Sequence, residues 1–252
     1  MTGLLATRGL ETGYGTMQVL WGVDIDVGES ETVVLLGSNG AGKTTLMKCL
    51  LGLLPLRGGE ILFRGEPIGR LPTRARVQRG LAFMSELGVF PDLTVAENID
   101  LGALFTPRAR ARTRAAELYD LFPVLKEKRR QAAGGLSGGQ RKMLGIAKAL
   151  AGDPKLLVMD EPSAGLSPLF VATVIRSLAA CRAGGLSLLI AEQNVKFLEL
   201  GDRVFTLEGG RIRFGGTPAE IQADDGLRRA YFGLGRDGPG PGNREQDHDV
   251  RT

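Results

Sequence analysis

Hydrophobic residues along the chain gather into short runs, and three of these runs are almost continuously apolar. Such runs are typical of strands buried on both faces of a parallel sheet, whereas a strand with one solvated face alternates apolar and polar positions. The continuous runs are residues 31–36, Leu156–Asp160 and residues 186–191. Alternation at Val23, Ile25 and Val27 instead predicts an antiparallel strand near the N-terminus.

Helical segments are predicted between these runs. A helix over residues 44–51 follows the first run directly and ends before Leu53-Leu54-Pro55. The remaining predicted helices are residues 93–152 (mostly helical), 169–182 and 195–200, and the remaining strands are 60–63, 80–84 and a hairpin of 203–207 with 211–214. Strands that alternate with helices predict an α/β fold with a mostly parallel core sheet, here preceded by an antiparallel β region and interrupted by a helical insert.

A phosphate-binding loop joins the first buried strand to its helix. It matches the pattern G-x-x-x-x-G-K-[ST] and consists of Gly37, Ser38, Asn39, Gly40, Ala41, Gly42, Lys43, Thr44 and Thr45. In this pattern backbone N–H groups surround phosphate oxygens, Lys43 reaches the β- and γ-phosphates, and Thr44 ligates Mg²⁺. The loop alone predicts a nucleoside triphosphate site, and a glycine-rich turn that serves only packing is the alternative.

Two acidic residues end the strand Leu156–Asp160. Asp160 is predicted to hold Mg²⁺ directly or through water, and Glu161 to orient and deprotonate an attacking water. The alternative is a pair of charges at a helix N-terminus. Pro162 stops a regular continuation at that point, which favours the catalytic interpretation.

Composition agrees with a cytosolic α/β protein. The chain has 252 residues, of which 43% are hydrophobic, yet no apolar run approaches the roughly 20 residues of a membrane helix. We expect no signal peptide, because the first ten residues lack a continuous apolar core. With two cysteines only, Cys49 and Cys181, we expect no disulfide framework.

The net charge of +4 comes largely from one segment. Residues 106–130 contain eight basic and three acidic residues, including arginines at alternate positions from Arg108 to Arg114. A run of this kind is most often a solvated helix face, and contact with anionic lipid headgroups is the functional alternative. Nucleic acid is not expected as a partner, since no aromatic residues are interleaved with the charges.

The segment LSGGQ at residues 136–140 lies between the phosphate loop and the acidic strand end. Together the three motifs resemble the ATP-binding cassette (ABC) family over about residues 4–234. The resemblance implies a P-loop NTPase fold, ATP and Mg²⁺ as cofactors, and head-to-tail dimers in which LSGGQ of one subunit covers ATP held by the other. It also implies nucleotide contacts from Ser137, Gly138, Gly139 and Gln140.

Tyr14 precedes the phosphate loop in the sequence GYG. It stands where ABC proteins stack an aromatic ring on adenine, and a flat π-face would suit any purine. Simple packing is the alternative for a lone tyrosine.

Two positions depart from the commonest ABC pattern. Glu86 stands where most members have a glutamine, and Gln193 stands where most have a switch histidine; the chain's single histidine, His248, lies near its C-terminus. The resemblance assigns both residues to the nucleotide site. A glutamine can hydrogen-bond the γ-phosphate and the water but cannot carry a proton, so proton transfer would fall to Glu161.

Several segments resemble the smaller cytosolic ATPase subunit of branched-chain amino-acid importers, which also uses a glutamate at the position of Glu86. These segments are EQN at 192–194, FPDLTVAEN at 90–98, DEPSAGLSP at 160–168 and AYFGLG at 230–235. Leu87-Gly88 departs from that pattern, because Gly-Arg is usual there and the loop to Phe90 is one residue short. The transported molecule can therefore differ, with urea or short amides as related cargoes.

These observations predict one ABC ATP-binding domain over residues 1–234, with a helical subdomain over about 87–154 and a disordered tail over 235–252. It would hydrolyse ATP as the peripheral subunit of an importer on the cytoplasmic face of the membrane. The implied partners are membrane permease subunits, a second ATPase subunit and, indirectly, a solute-binding protein. The alternatives are a soluble ABC protein that acts outside transport and a regulatory subunit with little turnover.

Overall fold

The computed structural model of the chain describes residues 3–85 and 88–232. Its strands are β1 (Leu5–Tyr14), β2 (Met17–Val23), β3 (Asp26–Val27), β4 (Thr32–Leu36), β5 (Gly58–Phe63), β6 (Glu66–Pro67), β7 (Leu81–Met84), β8 (Leu156–Asp160), β9 (Ser187–Glu192), β10 (Arg203–Glu208) and β11 (Arg211–Gly216). Its α-helices are α1 (Lys43–Leu50), α2 (Thr73–Gln78), α3 (Val95–Gly102), α4 (Arg108–Leu121), α5 (Pro123–Glu127), α6 (Gly138–Leu150), α7 (Pro168–Ala183), α8 (Pro218–Ala223) and α9 (Asp225–Phe232).

The core sheet contains six strands in the order β11-β10-β4-β9-β8-β7 among the described residues. Neighbours from β10 to β7 are parallel, and β11 is antiparallel to β10. The predicted mostly parallel α/β fold is therefore confirmed. All five residues of β4 are buried, as expected for a central strand covered on both faces.

Successive residues of the core strands face two different hydrophobic clusters. Val34 and Leu36 of β4 pack with residues of α3, α6 and α7 on one face. Val33 and Leu35 pack on the other face with residues of α1 and the N-terminal strands. A strand that separates two cores has no polar face, which explains why its sequence is continuously apolar.

The antiparallel region forms a second sheet in the order β2-β1-β5-β6, with β3 also paired to β1. The predicted strand through Val23, Ile25 and Val27 is in fact divided, because Val23 ends β2 and Val27 ends the two-residue β3. All three side chains are buried as their alternation indicates. The Thr7 hydroxyl donates to Val23 O at 2.9 Å and accepts from Ile25 N at 3.0 Å, so a side chain replaces part of the backbone ladder there.

Helices α3 to α6 lie between β7 and β8 in sequence. The predicted helix over residues 195–200 is a short 3-10 helix, Val195–Glu199. The predicted tail over residues 235–252 lies outside the described residues.

Part of the arginine-rich run holds α4 against the turn that follows α6. Arg110 donates to both carboxylate oxygens of Asp153, at 2.9 and 3.0 Å, and to Glu117 at 3.0 Å. Arg114 donates to Glu117 at 2.8 Å and to Leu150 O at 3.1 Å. The hydrogen bonds from Arg110, together with the nearby charges of Arg110 and Arg114, lower the pKa of Asp153. Much of this charge therefore serves packing within the chain.

A buried arginine closes the C-terminal end of α1. Arg76 is 2% exposed and donates to Cys49 O and Leu50 O, both at 2.7 Å, with further bonds to Leu71 O at 2.9 Å and Gly69 O at 2.8 Å. The last carbonyls of a helix have no partner within the helix, so the guanidinium satisfies them. Burial lowers its pKa.

We expect Arg76→Met to lower the free energy of unfolding by about 2–4 kcal/mol, because the carbonyls at the end of α1 lose their buried donor. Arg79→Met is the matched control, since the Arg79 side chain is 41% exposed and lies 3.8 Å from its acidic partner. Denaturant unfolding of both variants measures the difference. Equal loss in the two variants would contradict this role for Arg76.

Candidate functional site

The phosphate loop connects β4 to α1 at the carboxyl end of the core sheet. Gly42 has φ +111°, and a Cβ atom there would lie 2.7 Å from the Leu20 side chain, so only glycine fits. Helix α1 begins at the next residue, Lys43, and its first backbone N–H groups face the loop. A helix N-terminus with unpaired N–H groups attracts anions such as phosphate.

Lys43 is held inside the loop. Its side chain is 4% exposed, and Nζ donates to Gly37 O at 2.9 Å and to Ser38 O at 3.1 Å. The same ammonium forms an ion pair with Glu161 Oε1 at 3.2 Å. The predicted phosphate ligand and the predicted general base are therefore in direct contact.

Asp160 ends β8 beside the start of α1. Burial raises the pKa of its carboxyl group, and a hydrogen bond with the Thr44 side chain opposes that shift. Among the described residues, Asp160 Oδ1 is buried and has no hydrogen-bond partner. A buried carboxylate oxygen without a partner, next to a threonine hydroxyl, fits a hard divalent cation such as Mg²⁺.

Glu161 has a left-handed backbone conformation with φ +47°. Its N–H donates to Ala191 O of β9 at 2.9 Å, and its carbonyl accepts from Ala164 N at 3.1 Å. A non-glycine residue in this region costs roughly 1–2 kcal/mol, and such residues cluster at functional sites. The side chain is 36% exposed and is therefore accessible to a ligand.

An open cavity of about 690 Å³ brings these groups together. Its polar lining includes Asn39, Lys43, Thr44, Lys48, Asp160 and Glu161. Sequence reasoning missed Lys48, although its position four residues after Thr44 places it on the same side of α1 and could have indicated it. The cavity thus unites both acidic residues with the phosphate loop.

Tyr14 lies beside this cavity at the end of β1 and is 39% exposed. The Nζ atom of Lys48 lies 5.9 Å from the centroid of its ring. The ring is therefore accessible to a ligand but does not line the cavity, and its stacking on adenine stays a prediction.

The LSGGQ segment begins α6. Ser137 is the N-cap and accepts from Gln140 N at 3.3 Å, while the Gln140 side chain accepts from Ser137 N at 3.1 Å. Gly139 is buried, and a Cβ atom there would lie 2.8 Å from the Phe170 ring. Gly138 lines a separate cavity of about 550 Å³. The structure therefore does not bring this segment into the cavity of the phosphate loop.

The loop that begins at Gly88 is attached to α6. Lys148 of α6 donates to Gly88 O at 2.8 Å, and its Nζ lies 4.3 Å from the centroid of the Phe90 ring. Burial lowers the pKa of Lys148. Asn98 is buried and holds the same loop through bonds to Phe90 N at 2.9 Å and Phe90 O at 3.0 Å. Glu86, predicted as a nucleotide contact, lies outside the described residues.

Gln193 follows β9, the strand between β4 and β8. The register pairs Leu36 with Glu192 and Asp160 with Ala191, so the ends of all three strands meet at one edge of the sheet. Gln193 is exposed at this edge, next to the loop that carries Glu161. Sequence reasoning also missed Glu192, whose position before Gln193 at the end of an apolar run was the available signal.

No helix within residues 3–85 and 88–232 is long and apolar enough to cross a membrane.

Known proteins resemble this chain over most of its length. The model of the family described as ABC transporter matches residues 20–164. The chain is 38% identical over 232 residues to the high-affinity branched-chain amino acid transport ATP-binding protein BraG of Pseudomonas aeruginosa, covering 91% of this chain and 100% of that protein. It is 36% identical over 238 residues to the lipopolysaccharide export system ATP-binding protein LptB of Haemophilus influenzae, covering 91% and 97%.

Solved structures agree with this relationship. An ATP-binding subunit of an ABC transporter aligns with a TM-score of 0.78 and 30% identity, covering 91% of this chain and 96% of that one. The fold, the phosphate loop and the two acidic residues at the end of β8 agree with these matches. The chain therefore belongs to the ABC transporter family, whose ATP-binding domains hydrolyse ATP.

Proposed function

We propose that this chain is the ATP-hydrolysing subunit of a membrane ABC importer for branched-chain or other amino acids. The similarity to BraG supports the cargo class, together with the segment EQN at residues 192–194. Its partners would be membrane permease subunits and, indirectly, a solute-binding protein, with the chain at the cytoplasmic face of the membrane. Urea or short amides remain alternative cargoes, because residues 87–88 depart from the amino-acid importer pattern.

A second candidate is export of a lipid-linked molecule, since LptB is similar over nearly the same span. Reconstitution with candidate permease subunits in lipid vesicles distinguishes the two. Amino-acid uptake that requires ATP would support import. ATP hydrolysis that responds only to a lipid-linked glycan would support export, and hydrolysis without any membrane partner would favour a soluble ABC protein.

The contact between Lys43 and Glu161 carries the catalytic proposal. The ion pair at 3.2 Å places the phosphate-binding ammonium beside the carboxylate that would take a proton from water. When ATP enters the cavity, the γ-phosphate would take over Lys43, and the Glu161 carboxylate would become free to orient the attacking water.

Thr44 and Asp160 would hold Mg²⁺, which would neutralise charge on the phosphate oxygens during transfer. The buried Oδ1 atom of Asp160 supports this assignment because it lacks a partner among the described residues. Residues 37–45 would surround the phosphates, Tyr14 would stack on adenine, and Glu86 stays a predicted nucleotide contact.

A second subunit, identical or paralogous, would complete the site. Ser137, Gly138, Gly139 and Gln140 belong to a segment whose cavity is separate from that of the phosphate loop. In a head-to-tail dimer these residues would cover ATP held by the partner, with the N-terminus of α6 directed at the nucleotide. Residues 1–234 would form this one ATP-binding domain, and residues from about 87 to 154 its helical subdomain.

We expect Glu161→Gln to lower ATP turnover by about 10² to 10⁴ while ATP binding persists. The variant loses proton abstraction from water, whereas the phosphate loop and Lys43 remain in place. Steady-state ATPase rates and nucleotide affinity of the complex with its membrane partners measure both effects. Near-normal hydrolysis would refute the assignment of Glu161.

Gln193→Ala is expected to slow hydrolysis less than Glu161→Gln does, because losing one neutral transition-state donor costs at most roughly 3–4 kcal/mol.

The wild-type rate should show no essential ionisation near pH 6.5 (histidine's usual pKa), since Gln193 does not titrate. Gln193→His should stay active, and its rate should rise with pH between about 6 and 7 as the imidazole becomes neutral.

Rate against pH for wild type and both Gln193 variants provides the measurement. A wild-type inflection near pH 6.5, or a Gln193→Ala enzyme identical to wild type, would show that Gln193 does not contact the γ-phosphate.

A further inference from the structure

Glu192 is a buried acid at the last position of β9. Its side chain is 2% exposed and accepts three backbone N–H groups. Ser163 N donates to Oε1 at 2.7 Å, while Gln193 N and Asn194 N donate to Oε2 at 3.0 and 3.1 Å. The carboxylate therefore touches two different loops at once.

These loops carry the two residues proposed to act on the γ-phosphate and the water. Ser163 lies two residues after Glu161, and Gln193 directly follows Glu192. Besides the hydrogen bond from Ser163 N to Glu192, a second hydrogen bond joins the same two segments, from Glu161 N to Ala191 O at 2.9 Å. Two adjacent links thus fix the loop after β8 to the end of β9.

A carboxylate suits this position better than any other side chain of similar size. It is an acceptor on both oxygens, so it can satisfy three converging N–H donors. Glutamine would present an NH₂ group to one set of donors and would leave them without an acceptor. A buried charge is costly unless such bonds compensate for it, and here the backbone supplies all three.

We infer that Glu192 is a positioning residue for ATP hydrolysis: it holds Gln193 and the loop of Glu161 in one fixed arrangement. The inference rests on the proposed roles of those two residues. The hydrogen bond from Ser163 to Glu192 also holds the start of the turn that leads to α7, in which Gly165 has φ +72°. A shift of either loop would therefore displace the water-activating carboxylate relative to the γ-phosphate sensor.

The test compares Glu192→Gln with Glu199→Gln in the full chain assembled with its membrane subunits. Glu199 is exposed in the nearby 3-10 helix, and its replacement removes the same charge. We expect Glu192→Gln to lower kcat by about 10- to 10²-fold, as small misplacements of catalytic groups do, with little change in KM or in ATP affinity. The control should retain the wild-type kcat.

A double-mutant cycle separates positioning from general damage. In a Gln193→Ala background, Glu192→Gln should lower kcat by a smaller factor than in the wild type, because one of the groups it positions is already absent. Glu192→Asp keeps an acceptor-only group but is one methylene shorter, so its kcat should lie between those of wild type and Glu192→Gln. If Glu192→Gln does not fold, Glu192→Asp is compared with the control in the same way.

Equal kcat for the Glu192 variants and the control, while Glu161→Gln is inactive, would overturn the inference and leave the proposed function intact. The inference would also be overturned if the effects of Glu192→Gln and Gln193→Ala on kcat simply multiplied in the double variant. Losses of kcat that match losses of ATP affinity and thermal stability would overturn it as well. Normal hydrolysis by Glu161→Gln would instead refute the proposed function itself.

Discussion

The parallel register of β4, β9 and β8 is the constraint on which the site depends. Leu36 pairs with Glu192, and Asp160 pairs with Ala191, so three strands end at the same level. The segments that leave this edge are the phosphate loop, the loop of Glu161 and the loop of Gln193. Parallel sheets generally bind ligands at such an edge, and here the pairing brings together residues more than 100 positions apart in sequence.

Features with a local cause were predictable from the sequence. Buried strands appear as continuous apolar runs, and the phosphate loop has its own glycine pattern, so β4, α1 and β8 were predicted close to their observed bounds. Strand β1 was not predicted, because register shifts between Leu10, Thr12 and Gly13 interrupt its alternation. Helix α2 was missed as well, since its only buried residue is the charged Arg76.

In the candidate site too, residues within local motifs were predictable, whereas contacts that depend on strand pairing were not. Lys43, Thr44, Asp160 and Glu161 share a cavity because each belongs to a motif that fixes its place on a strand or helix end. The bond from Ser163 to Glu192 joins residues 29 positions apart and depends on the pairing of β8 with β9. The position of Glu192 before Gln193 could have drawn attention to it, but no local pattern encodes such a bond, so its contact with the loop of Glu161 is seen only in the folded structure.

The backbone of Glu161 has a consequence for how this sequence can change. Glycine would adopt its left-handed conformation without strain, whereas a residue with a Cβ atom costs roughly 1–2 kcal/mol in this region. The side chain that we propose to activate water therefore occupies a position where the backbone conformation favours glycine. At position 161 the backbone conformation favours glycine, while the proposed chemistry requires a carboxylate, so one residue cannot satisfy both requirements.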